Sequence, residues 1–140
     1  MTSDQAVRFV QAFRGDDWYV SLEAAVEAVR RRGMFNVIHV PSGLKADILV
    51  SRGTAHDSAR FSRVRKILMP DGREDPFASP EDVILKKLKF FRDGGSSNHF
   101  RDIHSMIAGQ GVETLDRCYL KTWAAELRVV AQLDQVKLRV

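Results

Sequence analysis

An aspartate inside an otherwise apolar strand is the first residue of this chain that invites a chemical role. Asp47 sits in Lys45-Ala46-Asp47-Ile48-Leu49-Val50. A carboxylate so placed can ligate a divalent metal facing a cleft, because hard cations take oxygen ligands. On the strand pattern alone the favoured reading is that Lys45, Asp47 and Ser51 form the wet face of a two-sided strand. Inward cations form the second group. Along a helix from Pro80, stepping about 100° per residue with Ile84 at zero, Lys87 falls between Val83 and Phe91, and Arg92 between Leu88 and Leu85. Both lie within the apolar arc. Lys86 and Lys89 fall on the opposite, polar face with Asp82 and Asp93. An inward cation either meets a phosphate or carboxylate in a cleft or snorkels past the apolar rim. Arg101-Asp102 lies beside a stripe of Phe100, Ile103, Met106 and Ile107, with Asp102 at its edge, placed for an ion pair with a neighbouring helix. The histidines (His39, His56, His99, His104) lack metal-ligand spacing, and no Gly-rich phosphate loop, G-x-S-x-G or H-E-x-x-H occurs. Cys118 reads as a core residue rather than a nucleophile.

The elements that must position these residues follow from periodicity. Ser3 is a cap for a first helix to about Phe13, with Ala6, Phe9, Val10 and Phe13 as one stripe. Gly15-Asp16-Asp17 breaks it, and Trp18-Tyr19-Val20 is extended. Ser21 caps a second helix, Leu22 to Arg32, with Leu22, Ala25, Val26 and Val29 inward and Glu27 facing Arg31 one turn on. The arginine run before Gly33 is a C-terminus signal. Met34–Val40 and Leu44–Ser51 form an antiparallel hairpin about Pro41-Ser42-Gly43. A helical turn over 57–63, a strand near Lys66–Met69 and a turn at Pro70-Asp71-Gly72 follow. From Ser79 the pattern is all helix: Ser79 as N-cap, Pro80 at the first position, an end at Gly94-Gly95. A further helix covers about Asn98–Ala108, and Leu115, Tyr119, Trp123 and Leu127 recur at four-residue steps. The fold class is α+β with segregated helices. The expected organisation is a partial α/β core over 1–75 and a helical region over 76–140.

Composition bounds the rest. The chain has 140 residues, 44% hydrophobic and 29% charged, which is globular usage. One cysteine excludes an intrachain disulfide and a cysteine-based zinc site. No apolar run reaches the roughly 18 residues of a membrane span, and the first residues have no secretory pattern. A cytoplasmic setting and no membrane partner are therefore expected. The net charge of +4 is compatible with a phosphate-bearing partner.

Several runs resemble a known family. Phe35-Asn36-Val37-Ile38-His39-Val40 with Gly43-Leu44-Lys45-Ala46-Asp47-Ile48-Leu49-Val50, Ala78-Ser79-Pro80-Glu81-Asp82-Val83-Ile84-Leu85-Lys86-Lys87-Leu88, Phe91-Arg92-Asp93-Gly94-Gly95, His99-Phe100-Arg101-Asp102-Ile103 and Trp123-Ala124-Ala125-Glu126-Leu127 are similar to bacterial minimal nucleotidyltransferases of the polymerase-β type. That group includes toxins of toxin–antitoxin and phage-defence systems. The resemblance covers nearly the whole chain. It implies a remnant of a mixed sheet, and transfer of a nucleotidyl group from an NTP to a hydroxyl on protein or RNA. In the family three carboxylates hold two Mg²⁺ ions that clamp the triphosphate.

By that resemblance Asp47 is the third metal-binding carboxylate and so catalytic. Lys87 and Arg92 lie near the triphosphate, and Arg101 and Asp102 match the family's Arg-Asp pair. The family's Gly-Ser turn and Asp-x-Asp strand have no counterpart before the hairpin; Asp16 and Asp17 are adjacent and would point to opposite sides of an extended chain. The sequence thus reads as starting just after that strand, through a late start or a natural truncation, and as inactive alone. The alternative is a non-enzymatic binding or regulatory module with a basic surface, including one that self-associates through an exposed sheet edge.

Overall fold

A computed structural model of the protein describes residues 1–13 and 15–136. The chain divides into two compact units, Met1–Asp57 and Ser58–Val140. The division falls inside a helix at Ala55–Ser62, earlier than the expected change near residue 75, so the second hairpin goes with the helical half.

The first unit begins with α1 (Ser3–Ala12), capped by Thr2 rather than Ser3. Thr2 and Gln5 form a reciprocal capping box, which satisfies two orphan amide donors at once. β1 (Trp18–Tyr19) follows, then α2 (Leu22–Arg31) with the expected Ser21 cap. Ala25, Ala28 and Val29 are the buried residues of α2, whereas Leu22, expected inward, is exposed because it stands at the first turn, off the packed end of the stripe. The helix stops with Arg32 itself left-handed (φ 52°) and the Gly33 amide donating to Ala28 O. β2 (Met34–His39) and β3 (Leu44–Leu49) form the expected hairpin, pairing Phe35 with Ile48, Asn36 with Asp47 and Val37 with Ala46. Gly43 (φ 67°) closes the turn. The sheet order is β1-β2-β3, antiparallel throughout. Phe9, Val10 and Phe13 of the α1 stripe pack with Ala6, Ala25, Ala28, Val29, Phe35, Val37 and Val50 as one core.

α3 (Ala55–Ser62) leads into the second unit. β4 (Arg65–Leu68) pairs with β5 (Glu74–Phe77), an unforeseen strand, in a two-stranded antiparallel hairpin. Pro76 is tolerated there because a two-stranded ribbon is all edge. Among the described residues both sheets are antiparallel; the mixed sheet expected from the resemblance is not formed, since the three successive pairings run antiparallel. α4 (Pro80–Gly94) has the expected Ser79 cap and ends at left-handed Gly95. α5 (Asn98–Gln110) and a 3₁₀ turn (Val112–Thr114) follow. The last stretch is two helices, α6 (Arg117–Glu126) and α7 (Val130–Gln135), broken at Arg128 (φ 57°). Ile84, Leu85 and Leu88 pack with Ile103, Leu115, Leu120, Ala124, Val129 and Leu133 in a second core. At roughly 1.5–3 kcal/mol per buried aliphatic side chain, this cluster is the main stabilising term of the helical unit. The architecture is α+β. No helix among the described residues is long and apolar enough to cross a membrane.

Candidate functional site

The strand alternation places Asp47 on the face of the sheet opposite the core, beside Asn36 and Lys45. The Asn36 amide donates to Asp47 Oδ1, and the Lys45 ammonium is 3.5 Å from the same oxygen. A hydrogen-bond donor and a cation at the carboxylate are the opposite of what Mg²⁺ needs, which is further oxygen ligands and negative charge. Among the described residues no three His, Cys, Asp or Glu side chains gather as a metal-holding group. The residues at Asp47 therefore do not fit the metal and NTP that the resemblance implies.

Lys87 and Arg92 both turn toward protein, as the helical arithmetic expects, and each finds a partner in its own unit. Lys87 Nζ is 2.6 Å from Asp102 Oδ2, joining α4 to α5. The inward lysine thus meets a carboxylate rather than standing open for a phosphate. The ammonium holds the Asp102 carboxyl below its ordinary value. Arg92 donates through Nη1 to Leu127 O at 2.6 Å and is paired with Asp93. It satisfies a carbonyl left free where α6 ends. Arg101 lies exposed on α5. Replacing Lys87 by Met is expected to leave the unfolding midpoint almost unchanged, because the pair is part-exposed. It should raise the Asp102 pKa toward its usual value. Carboxyl-detected NMR titration of wild type and variant measures the shift, and an unmoved Asp102 would contradict the pairing.

A buried cluster at the start of α4 has no counterpart in the sequence reading. Glu81 is 1% exposed and Asp82 4%. Helical phase puts Asp82 on the polar face; it is buried because Tyr119 of α6 closes over it, donating to Oδ1 at 2.8 Å, while Ser79 Oγ donates to Oδ2 at 2.7 Å. Glu81 Oε1 accepts from the Asp116 N–H at 2.9 Å, and its Oε2 is 3.2 Å from Arg63 Nη2. The Arg63 guanidinium lies 4.1 Å from the Tyr119 ring centroid and is paired with Asp116. Burial alone would raise the Glu81 pKa, but the Asp116 and Glu81 amides, Arg63 and Ser79 outweigh it and hold the group ionised. Burial, then Asp82, drive the Tyr119 phenol well above its ordinary value. Glu81 Oε1 and both Asp82 oxygens accept hydrogen bonds from within the fold, and Glu81 Oε2 is held by the charge of Arg63, so the cluster positions α4 against α6. Cys118, expected in the core, is exposed on α6.

The outer side of α4 is different. Phe90 is 43% exposed, stacks on His99 of α5 at 5.8 Å, and has the Lys86 ammonium 5.7 Å from its ring centroid. Phe61 is likewise exposed, with the Arg60 guanidinium 4.7 Å from its centroid. The charge excess is confined to this unit. Residues 58–140 carry fifteen basic and eleven acidic side chains, residues 1–57 seven of each. Two of those eleven acids are the buried Glu81 and Asp82. Comparison with family models, curated proteins and solved structures gave no match for this chain.

Proposed function

We propose that the chain is a nucleotidyltransferase-like protein that binds single-stranded RNA through the helical unit without transferring a nucleotide to it. One observation carries the binding: Glu81 and Asp82 are withdrawn into the interior of the unit that already holds the whole charge excess. With Arg63, Glu81 and Asp82 set aside as one buried group, the rest of the unit carries fourteen basic and nine acidic side chains, and phosphate neutralisation dominates nucleic-acid affinity. Lys86 and Lys89 supply phosphate contacts on one face of α4. Phe90, backed by His99, offers a ring on which a base stacks, and such stacking tolerates any base. The nucleotidyltransferase element of this reading rests on the sequence resemblance, and the binding-only element on the Asn36 and Lys45 groups that occupy Asp47.

The test incubates the full chain with labelled single-stranded RNA, Mg²⁺ and the four NTPs. Fluorescence anisotropy reads binding and mass spectrometry reads transfer. RNA that is retained and unchanged in mass is the expected result. RNA extended by a nucleotide, or label on the protein, overturns the non-catalytic reading, and absence of binding at low salt overturns the RNA reading.

A further inference from the structure

β3 is the outer strand of the first sheet, and five of its six residues are exposed, Leu44 at 71%. Its hydrogen-bonding phase can be read from one contact: the Val50 amide donates to Gly33 O at 2.9 Å. In an antiparallel ladder the bonded pairs recur every second residue. Residues 48, 46 and 44 therefore turn their backbone groups inward to Phe35, Val37 and His39, and Lys45, Asp47 and Leu49 turn theirs off the edge. An edge with a free row of donors and acceptors is a template for another strand.

We propose that this edge pairs antiparallel with β3 of a second copy, about a two-fold axis at Ala46. Outward groups must meet outward groups, so only alternate registers are available. A register centred on Lys45 sets lysine against lysine. One centred on Asp47 sets aspartate against aspartate. The register centred on Ala46 sets Lys45 of each copy opposite Asp47 of the other, and opposite charges across a ladder attract where like charges repel. Within one chain Lys45 and Asp47 already stand 3.5 Å apart on this face, both exposed, so each is within reach of a partner across the edge. On the other face the same register sets Leu44 opposite Ile48 of the second copy. That extends the largely apolar depression lined by Trp18, Val37, His39, Leu44, Lys45 and Ala46. Ala46 meets Ala46 at a narrow, non-bonded pair, where a small side chain suits the spacing. The closed result is a six-stranded sheet with isologous contacts. This inference is independent of RNA binding.

Sedimentation equilibrium of the full chain tests it. Wild type is expected to dimerise, and Lys45→Glu or Asp47→Lys to weaken self-association by about tenfold, since each turns two attractive pairs repulsive. An equimolar mixture of the two variants restores a dimer, because each repulsive pair becomes an attractive one in the heterodimer. In a Cys118→Ser background, Ala46→Cys should cross-link under oxidation and Leu44→Cys should not. Circular dichroism establishes that each variant is folded. A wild type that stays monomeric at all concentrations, a mixture no more associated than its folded components, or cross-linking at position 44 in preference to 46 would overturn the proposal.

Discussion

Replacing Glu81 by alanine is expected to destabilise the helical unit by about 2–4 kcal/mol. Removing one partner of a buried pair costs about 3–5 kcal/mol, because the other charge is left uncompensated. The figure is reduced here because Arg63 keeps its pairing with Asp116 and, being 29% exposed, recovers part of the loss from water. The Asp116 amide also loses its acceptor just where α6 begins. Glu81→Gln keeps an oxygen for that amide and should lose about half as much. Urea unfolding in a Trp18→Phe background, with Trp123 as reporter, gives the numbers; a loss under about 1 kcal/mol for the alanine variant would contradict the network. The acid side has a definite sign. The folded Glu81 pKa lies below its ordinary value of 4.5, so its contribution is present above that pH and is lost as pH falls through the folded value. Glu81→Gln should flatten that part of the acid limb.

The alkaline limb depends on Tyr119. Its folded pKa is raised above the ordinary 10.0, first by burial and then by Asp82, with Arg63 opposing. Stability from this phenol is therefore complete below pH 10.0 and falls as pH rises toward the folded value, because the unfolded chain loses the proton first. Tyr119→Phe should cost about 1–3 kcal/mol at neutral pH, by removing the hydrogen bond from the phenol to Asp82 Oδ1. It should also remove the alkaline slope attributable to this residue. Unfolding free energies of both proteins from pH 7 to 11 decide this, and parallel curves for the two would contradict the burial of the phenol.

Much of the fold is local in origin and was legible for that reason. Ser79-Pro80 and Ser21 announce α4 and α2 because capping chemistry is confined to a few residues. The β2–β3 hairpin shows because alternation and the Pro41-Ser42-Gly43 turn agree. β5 escapes the sequence pattern because Glu74, Asp75 and Pro76 disfavour a strand and Phe77 alone favours one, so it forms as the return of a turn. The break between α6 and α7 was missed because an arginine, not a glycine, takes the left-handed position; Arg92, thirty-five residues earlier, satisfies the carbonyl exposed there.

Site residues divide along the same line. The inward turn of Lys87 follows from helical phase alone, while its Asp102 partner requires knowing that α4 packs on α5. Burial of Asp82 reverses the expectation from phase, because a first-turn side chain is covered by whatever abuts the helix end, and here that is Tyr119. The only signal for it in the sequence was the pairing of two acids directly after Ser79-Pro80, which ordinary helix-dipole preference also explains.

The salt dependence of RNA affinity decides whether the lysines of α4 contact phosphate. Anisotropy titrations of a labelled single-stranded RNA with the full chain are repeated across a range of salt concentrations, for wild type and for Lys86→Met/Lys89→Met. Log affinity for wild type is expected to fall linearly with log salt, with a slope of about −0.7 per neutralised phosphate. Loss of two contacts makes the variant slope shallower by roughly 1.4. Phe90→Ala should weaken affinity by about tenfold at every salt concentration, since it removes stacking but no charge. A wild-type affinity indifferent to salt, or one that the lysine variant shares in both magnitude and slope, would contradict the account.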